Sequence, residues 1–118
     1  MRTNRVWTIG VREYLDCAHS VLGEGIHGHT YSVELTLQGE VQEDGIIIDF
    51  REVKRRFRSI LDKFDHKNLN DILDNPTAEM LCKEIFSMAK ESFSEVRVIS
   101  VRVWEGRDKW VELREEER

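Results

Sequence analysis

The sequence has little of three things that often determine the architecture of a small protein: cysteine, proline and long apolar runs. It contains two cysteines and one proline, and no run approaches the roughly 20 apolar residues that cross a bilayer. Cys17 and Cys82 are too few for the disulfide framework of a small secreted domain. Since residues 1–10 also lack the apolar stretch of a secretory signal, we expect a cytoplasmic protein.

Linkers, repeats and charge of one sign are also scarce. No Gly/Ser/Pro-rich stretch or internal repeat divides the 118 residues, which predicts one domain over residues 1–118 with a single core. The formal net charge is -5, and lysines and arginines are interleaved with aspartates and glutamates. Because neither a nucleic-acid footprint nor a polybasic membrane patch is visible, we expect no nucleic acid and no membrane as partner.

Histidine is concentrated near the start of the chain. Residues 7–19 and 27–37 have the alternating apolar pattern of strands, and His19, His27 and His29 all fall on the apolar, odd-numbered side. Residues 20–26 would form the loop of a long hairpin that brings His19 near the other two. These three residues, called the histidine trio below, are predicted to hold one divalent ion. Zn²⁺ is favoured because three imidazoles with an open fourth position describe a catalytic zinc site.

Two helices are predicted in the middle of the chain. Asp49 and Glu52 have the spacing of a capping box. The residues that follow form one apolar stripe, made of Phe50, Val53, Phe57, Ile60, Leu61 and Phe64. Asn75 and Pro76 signal a second helix, with Pro76 at the first helical position and an apolar face that runs to about Glu91.

Two further strands are predicted after the helices. Residues 96–105 alternate, with Ile99, Val101, Val103 and Glu105 on one side, and a last short strand follows a turn at residues 106–108. The order β-β-α-α-β-β predicts an α+β fold, in which an antiparallel four-stranded sheet has two helices on one face. The open edges and uncovered face of such a sheet favour self-association. Trp7, Cys17 and Cys82 are interpreted as packing residues.

Six short motifs occur in the order and spacing of the 6-pyruvoyl tetrahydropterin synthase family, and they span nearly the whole chain. They are Tyr14 to His19, His27 to His29, Gly45 to Phe50, Phe64 to Asn70, Asn75 to Glu79, and finally Glu105. The sequence therefore resembles that family. The resemblance implies a tunnelling fold (T-fold), in which trimers close their sheets into a barrel and two trimers stack as a homohexamer. It also implies zinc-dependent pterin sites at subunit contacts.

The resemblance assigns roles to individual residues. The positions matched by the histidine trio hold zinc in the family, Asp65 and His66 match an acid/base pair, and Glu105 matches the carboxylate that grips the pterin ring. Thr77 resembles a position whose backbone meets the pterin, and it is also expected to cap the second helix. An imidazole beside a carboxylate can shuttle a proton near neutral pH, either within one chain or through another subunit. A carboxylate can pair with the two N–H groups of the pterin edge.

The sequence departs from the family at the nucleophile. Synthases that make the pyruvoyl or carboxy products carry a cysteine four residues before the first histidine of His-Gly-His, and that place is Gly23 here. Cys17 and Cys82 do not replace it by position, whereas Glu24 stands one residue later. This pattern resembles the subgroup in which glutamate takes over from cysteine and the enzyme cleaves the side chain of dihydroneopterin. Glu24 is thus the predicted base for a retro-aldol cleavage.

The predicted function is a zinc-dependent pterin lyase that converts 7,8-dihydroneopterin, or its phosphate, to 6-hydroxymethyl-7,8-dihydropterin and glycolaldehyde. One alternative is a 6-carboxy- or 6-pyruvoyl-tetrahydropterin synthase that acts on dihydroneopterin triphosphate. Another is an oligomer without catalytic activity that binds zinc or a pterin. The absent thiol at position 23 counts against the first alternative.

Overall fold

The computed structural model describes residues 5–19, 25 and 27–116, and for His27 and His29 it describes the backbone. These residues form four strands, two α-helices and one short 3-10 turn. In chain order they are β1 (Trp7–His19), β2 (His27–Gly39), α1 (Phe50–Leu61), the 3-10 turn (Leu69–Asp71), α2 (Ala78–Ser92), β3 (Arg97–Glu105) and β4 (Lys109–Arg114). The predicted order and the predicted α+β class are confirmed.

The four strands form one antiparallel sheet in the order β1-β2-β3-β4. Except at the start of β3, where the register shifts, the buried side chains of the strands are mainly the odd-numbered ones, which face the helices: α2 packs on β3 and β4, and α1 lies over β1. The buried core combines the two layers and includes Leu15, Val33, Leu35, Phe57, Leu61, Leu81, Ile85, Val101 and Val103. Period-two patterning thus positions His19, because its odd-numbered side of β1 is the side that the helices cover.

Helix α1 begins as predicted but its cap differs in detail. The Asp49 side chain accepts a hydrogen bond from the Arg51 backbone N–H at 2.8 Å, so Asp49 is the N-cap. Glu52 pairs with the guanidinium groups of Arg55 and Arg56. In a capping box the Glu52 side chain would accept a hydrogen bond from the Asp49 backbone N–H. Here Glu52 forms ion pairs within the helix instead.

The predicted apolar stripe of α1 is confirmed for every member except Phe50. Val53, Phe57, Ile60 and Leu61 are buried. Phe50 is half exposed, and Phe64 is buried although it follows the helix end. The stripe therefore extends into the connection that carries Asp65 and His66. No helix among the described residues combines the length and apolarity needed to cross a membrane.

Helix α2 begins two residues later than predicted. Thr77 has extended backbone angles and its hydroxyl accepts a hydrogen bond from the Met80 N–H at 3.2 Å, which makes Thr77 the N-cap. Pro76 is therefore outside the helix, and the prediction that it occupies the first helical position is wrong. A threonine hydroxyl that satisfies an amide of the first turn determines this boundary. The carbonyl of Pro76 is then available for a contact described below.

Two further predictions need correction. The register between β2 and β3 shifts between Thr36 and Leu37, so Val98 faces the core and Ile99 lies at the irregularity. Trp7, predicted to pack in the core, is 53% exposed because it lies at the far end of the edge strand β1. Neither change affects the other end of the sheet, where the candidate site lies.

Candidate active site

The backbone of β1 and β2 brings the histidine trio to one end of the sheet. His19 lies directly opposite His27, and His29 lies opposite Cys17 in the same antiparallel pair. Cβ atoms of residues directly opposite each other are about 4.5–5.5 Å apart. The backbone positions of the three residues are therefore neighbours in the ladder, and all three are odd-numbered.

His19 is the member of the trio whose side chain is described, and its orientation fits a metal ligand. It is 3% exposed, and its Nδ1 lies 2.8 Å from the carbonyl oxygen of Pro76 and 3.2 Å from the hydroxyl of Tyr31. A carbonyl can only accept, so Nδ1 carries the proton and the lone pair is on Nε2. In zinc-binding histidines, the ring nitrogen that does not bind the metal usually donates its N–H to a carboxylate, a backbone carbonyl or water. The nitrogen donor set and this tautomer fit Zn²⁺.

Tyr31 is a site residue that sequence reasoning missed. It is fully buried, and its ring makes an edge contact with His19 at 6.1 Å between centroids. Burial raises the pKa of the Tyr31 phenol, with smaller contributions from Cys17 and Glu105, so the hydroxyl keeps its proton. The alternating pattern placed Tyr31 in an apolar stripe. The overlooked signal is that a buried tyrosine hydroxyl needs a polar partner, and His29 is two residues away.

Asp65 and His66 follow α1 and dock on the edge of β1. The His66 N–H donates to the Asp16 carbonyl, the Asp16 N–H donates to Asp65 Oδ1 at 2.9 Å, and the Ala18 N–H donates to the Lys67 carbonyl at 3.0 Å. His66 has a φ of 60°, a left-handed conformation that is uncommon outside glycine. Its Nδ1 lies 3.2 Å from Asp65 Oδ1. The structure therefore brings the predicted acid/base pair together.

A cavity of about 500 Å³ lies beside this pair, within the size range of small-molecule sites. Its lining consists of Asp16, Cys17, Ala18, Gly28, Thr30, His66, Lys67 and Asn68. Four of these residues occupy even-numbered strand positions, and the three that are not glycine have side chains on the sheet face away from the helices. The cavity and His66 therefore lie at the same end of the sheet as the histidine trio but on its other side.

A second group of potential metal ligands lies beside this cavity, and two of its three members line it. Suitable atoms of Asp16, Asp65 and His66 lie within 4.8 Å of one another. The carboxylates are already engaged, because Asp65 accepts from Arg58 at 3.1 Å and Asp16 accepts from the Thr30 hydroxyl at 2.7 Å. Three imidazoles match zinc better than this oxygen-rich group, so the trio is the stronger candidate.

The other predicted residues have different places in the structure. Glu105 ends β3 on the helix-facing side, opposite Tyr31 of β2, and it is partly rather than fully buried. Thr77 follows Pro76, whose carbonyl oxygen contacts Nδ1 of His19. Both therefore lie near the trio. Glu24, the predicted base, and Gly23 lie outside the described residues.

Neither cysteine has the properties of an activated nucleophile. Burial raises the pKa of the Cys17 thiol to about 12, and the charges of Asp65 and Asp16 add to the effect. Burial also raises the pKa of Cys82 to about 11, and its Sγ donates to the Val101 carbonyl. Both thiols are therefore protonated at neutral pH, in agreement with their interpretation as packing residues.

The sheet with two helices on one face defines a class, the T-fold proteins. A structure of 6-pyruvoyl tetrahydropterin synthase from Caenorhabditis elegans shares this fold with a TM-score of 0.86 and 21% identity, covering 98% of this chain and 100% of that one. The profile of the 6-pyruvoyl tetrahydropterin synthase family matches residues 8–116. The chain belongs to this family, whose members are generally metal-dependent lyases of pterin biosynthesis.

Two relatives of similar length carry different names. A protein of Archaeoglobus fulgidus, provisionally named 6-carboxy-5,6,7,8-tetrahydropterin synthase, is 40% identical over 110 residues, covering 90% of this chain and 94% of the relative. The dihydroneopterin monophosphate aldolase of Pyrococcus furiosus is 35% identical over 106 residues, covering 86% and 92%. A Plasmodium vivax 6-pyruvoyltetrahydropterin synthase, solved with a catalytic glutamate replaced by alanine, has a TM-score of 0.77 at 19% identity, covering 93% and 98%.

Proposed function

We propose that this protein is a zinc-dependent lyase that cleaves 7,8-dihydroneopterin or its phosphate to 6-hydroxymethyl-7,8-dihydropterin and glycolaldehyde. The observation that carries the proposal is the 2.8 Å contact between Nδ1 of His19 and the carbonyl oxygen of Pro76, at the end of the sheet where the backbone of His27 pairs with His19. That arrangement supports zinc as the bound metal. A cytoplasmic location and one domain over residues 1–118 remain predictions.

The cleavage requires a base, a proton donor and a group that binds the pterin ring. Bound zinc would lower the pKa of a side-chain hydroxyl and stabilise the alkoxide that develops from it. Glu24 would take the proton of the second hydroxyl, the bond between the first and second side-chain carbons would break, and its electron pair would pass into the dihydropterin ring. His66, as the imidazolium whose Nδ1 faces Asp65, would donate its Nε2 proton to the first carbon, and the proton held by Glu24 would then pass to solvent while His66 takes one up.

Glu105 would hold the pterin ring in place during this reaction. Its carboxylate ends β3 on the helix-facing side, next to Tyr31 in the sheet. A carboxylate there can accept hydrogen bonds from two N–H groups of the aminopyrimidinone edge. Thr77 would contact the ring through its backbone, because its hydroxyl is engaged in capping α2.

We further propose that Asp65 and His66 of one chain serve the histidine trio of another. Within one chain His19 is buried on the helix-facing side of the sheet, the cavity beside His66 opens on the other side, and His66 is 78% exposed at the edge. The face away from the helices also carries a row of alternating charge across all four strands, made of Arg12, Glu34, Arg102 and Glu112. These features support a homo-oligomer, and the family resemblance favours a hexamer built as a dimer of trimers.

The second candidate function is that of a 6-carboxytetrahydropterin synthase. The name of the Archaeoglobus fulgidus relative favours it. The name of the Pyrococcus furiosus relative favours an aldolase with a phosphorylated substrate. Gly23 at the position of the thiol and Glu24 beside it favour the lyase. The Plasmodium vivax 6-pyruvoyltetrahydropterin synthase, which shares this fold, also has a glutamate as a catalytic residue.

One experiment separates these functions. Purified, zinc-loaded protein is incubated with dihydroneopterin, its monophosphate and its triphosphate, and the products are identified by mass. The lyase yields 6-hydroxymethyl-7,8-dihydropterin and glycolaldehyde or its phosphate, whereas the synthase yields a carboxy product from the triphosphate alone. Glu24→Ala and His66→Ala variants that still bind pterin but do not turn over support the lyase. A wild-type protein that binds pterin and converts none of the three substrates contradicts both enzymes.

A further inference from the structure

The guanidinium group of Arg58, in α1, donates three hydrogen bonds to three different residues. In the last turn of the helix, its Nε donates to Asp62 Oδ1 at 3.0 Å and its Nη1 donates to the Tyr14 carbonyl of β1 at 2.9 Å. Its Nη2 donates to Asp65 Oδ2 at 3.1 Å. One guanidinium group therefore joins α1, β1 and the segment that carries the acid/base pair.

These contacts leave the Asp65 carboxylate little freedom. Arg58 engages Oδ2, while Oδ1 accepts the Asp16 N–H and faces Nδ1 of His66. Each carboxylate oxygen therefore has a hydrogen-bond donor, and the contacts from α1 and β1 together fix the plane of the carboxylate. The carboxylate in turn determines where the His66 ring lies, because His66 is otherwise exposed and has an uncommon backbone conformation.

We propose that Arg58 is the positioning residue of the Asp65–His66 pair. This inference rests on the proposed function, in which that pair transfers protons. The planar fork of arginine suits the role, because it presents several donors in fixed directions, whereas lysine offers one compact ammonium group. Arg55 provides the comparison: it is 71% exposed and pairs with Glu52 of its own helix.

The first test compares Arg58→Gln and Arg58→Lys with Arg55→Gln. We expect Arg58→Gln to lower kcat by about tenfold to a hundredfold and to change KM less than twofold, because a displaced proton donor slows the chemical step rather than binding. Arg58→Lys keeps the charge and loses the fork, so its kcat should lie between those of Arg58→Gln and the wild type. Arg55→Gln should leave both constants within twofold. Equal kcat in Arg58→Gln and wild type overturns the inference.

A second measurement does not depend on turnover. In ¹⁵N-labelled protein, the three-bond coupling between the amide and α protons of His66 depends on its φ angle. We expect this coupling and the His66 amide shift to change in the Arg58 variants and not in Arg55→Gln, with the folded state checked by circular dichroism. A signal that moves in none of the Arg58 variants contradicts the inference, and Arg58→Lys keeps the test available where Arg58→Gln does not fold.

A double-mutant cycle shows whether Arg58 acts through Asp65. In the Asp65→Asn background, Arg58→Gln should lower kcat no further, since the carboxylate that it positions is gone. Equal fold-losses in both backgrounds contradict the inference. If Asp65→Asn and His66→Gln keep wild-type kcat, the acid/base pair of the proposed function fails instead, while the NMR measurement still decides whether Arg58 positions His66.

Discussion

The carbonyl oxygen of Pro76 determines which nitrogen of His19 can bind a metal. Because this oxygen accepts the Nδ1 proton at 2.8 Å, Nε2 carries the lone pair. The Tyr31 hydroxyl lies at 3.2 Å from the same nitrogen. Residues that contact a ligand rather than the metal commonly affect metal affinity by tenfold or more. The orientation of the His19 imidazole therefore depends on groups that would not themselves bind the ion of the proposed site.

Tyr31→Phe tests this dependence. We expect the variant to fold, because the buried ring is kept, and to bind zinc up to about tenfold more weakly, because the second partner of Nδ1 is lost. The measurement is competition for zinc against a chromogenic chelator. Tyr14→Phe is the matched control, since Tyr14 is 58% exposed on the neighbouring strand. Wild-type zinc affinity in Tyr31→Phe would show that Pro76 alone orients the imidazole.

The state of Cys17 separates a carboxylate mechanism from a thiol mechanism. Its pKa, raised to about 12 by burial, keeps the thiol protonated. We therefore expect Cys17→Ala to keep kcat within about threefold of wild type, with some loss of stability from the small cavity. Cys82→Ala, which changes the other buried thiol, serves as the control. A Cys17→Ala enzyme that folds and loses turnover would identify Cys17 as the nucleophile.

The start of α2 links helix formation to the site. Thr77 caps the helix with its hydroxyl, and the preceding residue, Pro76, supplies the carbonyl that holds His19. If the helix began at Pro76, as the sequence predicts, the Pro76 carbonyl would belong to the first helical turn and would accept a hydrogen bond within the helix. The observed boundary therefore places one peptide unit where it can contact the imidazole.

Thr77→Ala should lower the free energy of unfolding by about 1 kcal/mol, because an amide of the first helical turn loses its acceptor. Urea denaturation measures this change. If Thr77 meets the pterin through its backbone, KM should stay within about twofold, and Thr77→Ser should restore the stability. A large rise in KM in Thr77→Ala with unchanged stability would instead assign the hydroxyl to the substrate.

The distribution of functional groups over the whole molecule favours a site shared between copies. His19 is buried on the helix-facing side of the sheet, and the cavity beside Asp65 and His66 opens on the other side. One chain alone therefore does not bring His66 and the trio to the same face. A contact between chains can do so.

Mixing two inactive variants tests this arrangement. His19→Gln lacks a ligand of the trio and His66→Gln lacks the proton donor, so each alone should be inactive. Subunits exchanged between them should recover part of the wild-type turnover, since some contacts then combine an intact trio with an intact His66. Native mass spectrometry verifies the exchange. Mixed oligomers without activity, formed from variants that fold, would place both groups in the site of a single chain.

Local pattern in the sequence is sufficient for the strands and for the side on which the trio lies. Period-two alternation predicts β1 and β2 because side chains two residues apart must point the same way. It is less reliable for β3, where an irregularity exchanges the roles of Val98 and Ile99. It also fails for Trp7, since alternation does not show where a covering helix ends.

The family motifs in the sequence predict Asp65, His66 and Glu105 as functional residues, and periodicity predicts the face of His19, because these signals are short in range or carried by the order of residues. Tertiary packing alone determines the proton position of His19, since its partner Pro76 is 57 residues away. Packing also unites Arg58 of α1, the Tyr14 carbonyl of β1 and Asp65. Such contacts depend on how a helix docks on a sheet, and the pattern of apolar residues within one segment cannot predict that docking.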